Sequence, residues 1–272
     1  MRNPLPVTMR NPLPVTMRKN GGMVLVSAYH RPANVADALS LLHRPGIRSA
    51  LLAGGTTLNP ALTDSQDQTR EPVEVIDLQQ VGLSGITVTG DMIVVGATTT
   101  LQELSACTLV TEGLRELARR EQPSTLRTLA TVGGTVAAAN PESELLACLL
   151  ALRATISLLR ISGTDDASMA TTLSSPETLI GSIITSVSFK AGGLTVSDRT
   201  ARTPMDRPIV SVVGHRADDG TVTLAATGIA TAPTVLEAGQ TLSPPGDFRG
   251  SARYRTALLR THAARVAGRL GN

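Results

Sequence analysis

The chain has 272 residues, a net charge of +3 and 42% hydrophobic residues, enough to bury a substantial core in one large domain or in two to three small ones. Only Tyr29, Phe189, Phe248 and Tyr254 are aromatic, and the arginines are scattered except toward the C-terminus, so base-stacking platforms and basic nucleic-acid grooves are excluded and no nucleic acid is expected as a partner. The longest apolar run, Leu145 to Leu152, falls far short of the roughly 20 residues a bilayer requires, and no membrane partner is expected either.

The octapeptide Met-Arg-Asn-Pro-Leu-Pro-Val-Thr occurs twice, at Met1 to Thr8 and at Met9 to Thr16. It lacks an apolar stretch of the kind a secretory signal carries, and residues 1–22 are expected to be a disordered, duplicated start. Val35, Ala38, Leu39 and Leu42 then have helical spacing, with Asn34 as the N-cap and Pro45-Gly46 as the stop. Ile47 to Ala53 reads as a buried strand, 63–71 as polar loop and Val73 to Leu78 as a further strand. Gly90-Asp91 is a two-residue turn closing a hairpin between Ile86 to Thr89 and Met92 to Val95. Helices are predicted over Leu101 to Cys107 and Glu112 to Arg120.

Asn140 as N-cap, Pro141 in the first turn and the carboxylates of Glu142 and Glu144 predict a helix buried through Leu145, Leu146, Leu149 and Leu150. Ala154 to Arg160 reads as a strand, Ile161 to Pro176 as loop and Leu179 to Phe189 as strand-rich. The last third is a β-rich block with strands over Pro208 to Gly214 and Thr221 to Thr227 and a short helix over Ala232 to Ala238. It ends in an amphipathic helix with Leu259, Ala263, Val266 and Leu270 on the apolar face and Arg255, Arg260, Arg265 and Arg269 largely elsewhere. Cys107 and Cys148 lack metal-ligand spacing and read as free thiols in a reducing compartment, which points to the cytoplasm. Iron–sulfur ligation by this chain alone is excluded, because a cluster draws on about four ligands, mostly Cys.

Chemistry concentrates in two glycine loops. Leu51-Leu52-Ala53-Gly54-Gly55-Thr56-Thr57-Leu58 is an apolar run that breaks into two glycines and two hydroxyls, a pattern that lets backbone N–H groups converge on an anion. Thr131-Val132-Gly133-Gly134-Thr135 repeats the design further along, and two such loops suit the two ends of one long anionic cofactor. Neither matches the Walker loop or the three-glycine dinucleotide fingerprint. His30, His43, His215 and His262 are dispersed, and no catalytic triad or metal cluster is evident.

With these motifs in order, joined by Val75-Ile76-Asp77-Leu78, Gly96-Ala97-Thr98-Thr99, Leu126-Arg127 and Tyr254-Arg255, the chain from about Val26 to Leu270 resembles the FAD-binding medium subunit of the molybdenum hydroxylases, the group of xanthine dehydrogenase and carbon monoxide dehydrogenase. The resemblance implies an α+β fold: a PCMH-type FAD-binding region at 23–198, with lobes at about 23–78 and 79–198, then a C-terminal domain at 199–272 made of a three-stranded sheet with helices. FAD is the implied cofactor, held by Ala53, Gly54, Gly55, Thr56 and Thr57 and by Thr131, Gly133, Gly134 and Thr135. Glu144 stands where the family usually has a cofactor-contacting Asp, Ile180 would lie against the ring system, and Arg199 falls near a cofactor-contacting Lys of some relatives.

The implied partners are a molybdopterin-binding large subunit, a 2Fe-2S small subunit and a small-molecule electron acceptor such as NAD, a quinone or oxygen. The chain departs from the family pattern at Thr57, where Asp is common, at Thr135, where Asn is usual, and at Glu144. Two other readings therefore stay open: a free-standing flavoenzyme with Glu144 as a general base, and a scaffold that has lost FAD.

Overall fold

The computed structural model describes residues 17–19, 22–24, 26–63, 72–204, 206–237, 240 and 242–271. At the N-terminus β1 (Met17–Lys19) pairs antiparallel with β2 (Gly22–Val24), which corrects the expectation of disorder for 17–19 and 22; residues 1–16, 20 and 21 lie outside the described residues. The first lobe is a three-stranded parallel sheet of β3 (Val26–His30), β5 (Val73–Asp77) and β4 (Ser49–Leu52), with β5 in the centre. Helix α1 (Val35–Leu42) crosses from β3 to β4, capped as expected by the Asn34 side chain accepting from Asp37 N–H at 2.9 Å. Its Ala38 packs with Ile76, Leu78 and Val81 in a small core that reaches Ile183 of the second lobe. The chain leaves β4 through the first glycine loop into the short helix α2 (Leu58–Thr63). Of the expected loop at 63–71, residues 64–71 lie outside the described residues.

The second lobe is a five-stranded antiparallel sheet in the order β6 (Ile86–Thr89), β7 (Met92–Gly96), β10 (Ile183–Lys190), β8 (Thr155–Arg160), β9 (Gly163–Ser168). Thr89 pairs with Met92, leaving Gly90-Asp91 as the two-residue turn, and Gly90 takes the positive φ of 63° that such a turn needs. Between β7 and β8 run α3 (Leu101–Ala106), α4 (Glu112–Glu121), α5 (Ser124–Arg127), α6 (Val132–Ala138) and α7 (Glu144–Ala151). All eight residues of α7 are buried, as a helix that is apolar almost all round demands.

Two local expectations fail here. Ile161 to Pro176 is not loop: it holds β9, which forms a hairpin with β8, and α8 (Met169–Ser174). Strand β9, Gly-Thr-Asp-Asp-Ala-Ser, lies at the sheet edge with most residues exposed, so it lacks the apolar alternation that would reveal it. The cap of α7 is also Ser143 rather than Asn140; the Ser143 hydroxyl accepts from Leu146 N–H at 3.0 Å, while Asn140 closes a turn by accepting from Glu142 N–H at 2.8 Å.

The C-terminal sheet has the order β11 (Leu194–Thr200), β12 (Val210–Arg216), β13 (Val222–Thr227), β14 (Thr234–Val235): three long strands and a two-residue fourth. Strand β14 replaces the helix expected over Ala232 to Ala238, because Thr234 and Val235 are β-branched and the free edge of β13 offers them pairing partners. The expected domain division at 198/199 falls inside β11; sheet membership leads us to propose the boundary in the 191–193 linker. One apolar cluster runs from the second-lobe sheet through α7 to Val213 and Ala225 of the C-terminal sheet, so this sheet shares its core with the lobe beside it. On its other side α9 (Ala252–Leu270) buries Val266 and Leu270.

One arginine of α9 is not on its outer face. Arg255 is 2% exposed and donates to the carbonyls of Ile209 (2.6 Å) and Gly228 (2.8 Å) and to the Asp247 carboxylate (2.6 Å). Helical spacing gives a residue's angular position, not whether the neighbouring strand ends present carbonyls to it. Arg255→Met should therefore lower the unfolding free energy by about 3 kcal/mol in urea titration, because buried carbonyls lose a charged donor. The exposed Arg260→Met should stay within about 0.5 kcal/mol of the parent.

Candidate functional site

A cavity of about 540 Å³ opens between the two lobes and the start of the C-terminal unit, within the size range of small-molecule and cofactor sites. Ala53, Gly54, Gly55, Thr56 and Thr57 line it from the first loop, and Thr131, Gly133, Gly134 and Thr135 from the second. The structure therefore brings the two sequence-distant loops to one cleft.

What holds the loops together is backbone packing. A Cβ on Gly54 would overlap the carbonyl of Leu129, just before the second loop, and one on Gly133 would sit 2.8 Å from the Ala97 Cβ and 2.9 Å from its carbonyl oxygen. These glycines are needed where one stretch of protein backbone meets another. Gly55 has φ of 69°, which turns the chain out of β4 toward α2.

The two loops differ in what they leave free. In the second, Val132 N–H donates to Thr99 O (2.9 Å), Gly133 N–H to Ala97 O (2.8 Å), Gly134 N–H to the Thr131 hydroxyl (3.1 Å) and Thr135 N–H to Thr131 O (2.9 Å). The Thr135 hydroxyl donates to the same carbonyl at 3.0 Å. This loop opens α6 and is already capped. In the first loop, among the described residues, no protein group accepts from the N–H groups of Gly54, Gly55, Thr56 or Thr57 or from the two Thr hydroxyls. That loop supplies the donor array.

Three sequence-predicted residues are not brought to the cleft. Glu144 is 4% exposed and accepts from Arg199 Nη1 (2.8 Å) and the Ser211 hydroxyl (2.7 Å), while Arg199 also donates to the Asp206 carbonyl. Two of the residues expected to touch the cofactor thus pair with each other, joining α7 to the C-terminal sheet. Ile180 is 75% exposed and does not line the cavity, although its neighbours Leu179 and Ser182 do.

Conversely, Ala97, Thr98, Gln122, Asn140 and, above all, Glu121 and Arg207 line the cleft without having been singled out as site residues. Glu121 is 5% exposed; it accepts from Arg207 Nη1 at 2.7 Å, the Ser143 hydroxyl at 2.8 Å and Leu145 N–H at 3.4 Å. Burial pushes its carboxyl pKa up, against the pull of Arg207 and of these donors. Glu121 had a signal: it continues the buried stripe Leu114, Leu117, Ala118 of α4, where a carboxylate is out of place. Arg207, in the connection between β11 and β12, had none.

The four histidines do not line the cleft; His262, for example, bridges Asp198 (2.7 Å) and Thr200 (2.9 Å) between α9 and β11. Among the described residues no group of three or more His, Cys, Asp or Glu could hold a metal ion, Cys107 and Cys148 are free thiols, and no helix is long and apolar enough to cross a membrane.

A cleft between two lobes, lined by a loop whose backbone donors have no protein acceptor among the described residues, has the make-up of a cofactor-binding module. Residues 23–189, more than half of the chain, match the family described as the FAD binding domain in molybdopterin dehydrogenase; the chain belongs to this family, and its cofactor is FAD. It is 32% identical over 134 residues to the carbon monoxide dehydrogenase medium chain of Afipia carboxidovorans, an alignment covering 48% of this chain and 46% of that one, so the match spans about half the length of such relatives. Among solved structures, the carbon monoxide dehydrogenase of Hydrogenophaga pseudoflava superposes with a TM-score of 0.75 at 21% identity, covering 89% of this chain and 97% of the other. The quinoline 2-oxidoreductase of Pseudomonas putida 86 gives 0.75 at 19% identity, covering 88% and 94%. These superpositions show the same α+β fold.

Gly54→Ala should cost about 3 kcal/mol of stability in thermal or urea unfolding, with or without FAD, because the Leu129 carbonyl cannot swing aside. Gly134→Ala, whose Cβ would meet only the Thr131 hydroxyl at 2.9 Å, should remain within about 1 kcal/mol of the parent.

Proposed function

We propose that this protein is the FAD-binding subunit of a molybdenum hydroxylase-type oxidoreductase, relaying electrons from a 2Fe-2S small subunit and a molybdopterin-binding large subunit to a small-molecule acceptor such as NAD or oxygen. The observation that carries the reading is the cleft itself: a cavity of about 540 Å³ lined by Gly54 to Thr57, whose N–H groups have no protein acceptor among the described residues. These donors suit the diphosphate of FAD, and the loop's two hydroxyls add to them. Thr131, Gly133, Gly134 and Thr135 line the cleft from the second loop. Leu51, Leu78, Leu179 and Ile184 supply apolar lining on which a planar ring system can pack.

FAD, when bound, supplies the electron-transfer chemistry. The residues of the chain hold and orient it and exclude water from the buried part of the cleft. Cys107 and Cys148, as free thiols, suit the reducing cytoplasm, which is part of the same proposal. Glu144 has no route to serving as a general base at this cleft, because it is buried against Arg199 and Ser211. The free-standing flavoenzyme reading thereby loses the residue that motivated it.

The protein purified alone should show a flavin absorption spectrum, or acquire one on addition of FAD, and its tagged form should co-purify with a larger molybdopterin-binding and a smaller 2Fe-2S chain. A colourless protein that ignores excess FAD overturns the flavin reading; flavin without partner chains overturns the subunit reading. A Thr56→Val, Thr57→Val double variant should bind FAD about tenfold more weakly by flavin fluorescence, as expected for the loss of hydroxyl hydrogen bonds.

A further inference from the structure

Among the described residues that line the cleft, only Glu121 and Arg207 are ionisable, and they differ in what they have left to offer. Glu121 is enclosed, with Oε1 accepting from Arg207 and Oε2 from the Ser143 hydroxyl and Leu145 N–H. Arg207 commits one nitrogen, Nη1, to that carboxylate; among the described residues no protein group accepts from its Nε or Nη2, and its side chain is 30% exposed at the cavity wall. A guanidinium fixed at one corner and open along its remaining edge is oriented to receive an oxyanion through parallel N–H donors. It comes from the β11–β12 connection, so among the described residues the cleft's one formal positive charge is contributed by the C-terminal unit.

We infer that Arg207 is a further cofactor-binding residue, which donates to the diphosphate oxygens of FAD from the C-terminal side of the cleft while Glu121 and Ser143 hold its guanidinium in place. This rests on the flavin reading above. The diphosphate is the permanently charged part of FAD, and the first-loop donors are neutral dipoles, so a cation in the same cleft meets the charge that they leave uncompensated. Arg207 binds the ligand directly and Glu121 is its positioning residue.

The test measures dissociation constants of the full-length chain for FAD, ADP and riboflavin, by flavin fluorescence and by competition, at low and high salt. Arg207→Ala should weaken FAD and ADP about 10- to 100-fold and flatten the salt dependence, while neutral riboflavin binds as to the parent. Arg207→Lys should recover part of the loss. Glu121→Gln should weaken FAD and ADP by a smaller factor, about threefold to tenfold, with riboflavin again unchanged.

Because Arg207→Ala leaves a buried carboxylate without its counter-charge, the Glu121→Gln, Arg207→Gln double variant is measured beside it. It removes both charges together and should show the same loss of FAD affinity with a preserved melting transition. A parent protein that binds FAD while a folded Arg207 variant binds it within twofold overturns this proposal alone. Riboflavin weakened as much as FAD overturns the assignment to the diphosphate. A parent that takes up no FAD overturns the flavin reading and this proposal with it.

Discussion

The close approach of Gly54 to the carbonyl of Leu129 is the contact on which the cleft depends. It presses the end of the first-lobe strand β4 against the segment that introduces α6 in the second lobe, and no residue with a Cβ could occupy the position without overlapping that carbonyl. Gly133 against Ala97 repeats the same kind of contact at the cleft, and Gly96 against the carbonyl of Leu83 repeats it one residue before Ala97. Paired glycines are commonly read as room made for a ligand. Here one member of each pair makes room for protein backbone, and the cleft lies where the chain has been drawn together. The ligand-facing property then falls to what remains: the N–H groups and hydroxyls of the first loop, from which no protein group accepts among the described residues.

A second constraint ties the C-terminal unit to this arrangement. Two buried carboxylates meet the N-terminus of α7: Glu144 in its first turn, and Glu121 accepting from Leu145 N–H and from the capping Ser143 hydroxyl. The helix dipole favours negative charge there, but two buried carboxylates still require cations, and the segment from β11 to β12 supplies them as Arg199 and Arg207. Buried ion pairs add little net stability; what they add is position, since each charge is costly anywhere but opposite its partner. The Glu144–Arg199 pair joins α7 to the C-terminal sheet, whose Val213 and Ala225 share the core, and the Glu121–Arg207 pair holds Arg207 at the cleft wall.

Much of this was legible in the sequence, and the residues that were not show why. The glycine loops stood out because glycine pairs bounded by apolar and hydroxyl residues are a local signal, and the ordered motifs carried the family. Helix α1 was readable because its cap, stripe and stop are all local. Strand β9 escaped because an exposed edge strand needs no apolar alternation, and β14 because the edge of β13 supplied what two residues alone could not. Glu144 and Arg199 were drawn to the cofactor by position in the chain, while the structure pairs them with each other, a tertiary fact that neither residue encodes alone. Arg255 shows the same limit, since its carbonyl partners come from Ile209 and Gly228, far away in the chain. Arg207 sits in a connection without pattern, and only the fold brings it to the cleft.

The make-up of the cleft wall bears on what kind of chemistry it can host. A group that abstracts or delivers a proton must present a titratable atom to the ligand, with a pKa near the working pH and freedom to change its charge. The one carboxylate on the wall among the described residues, Glu121, has both oxygens engaged by Arg207, Ser143 and the α7 backbone, and the histidines lie elsewhere. Every other lining side chain described is apolar, hydroxyl or amide. Such a wall can bind, orient and shield, and whatever reacts in it must bring its reactivity along. That is the division of labour expected of a protein that carries a redox cofactor, and the charged residues around this cleft are accordingly engaged in structural pairs.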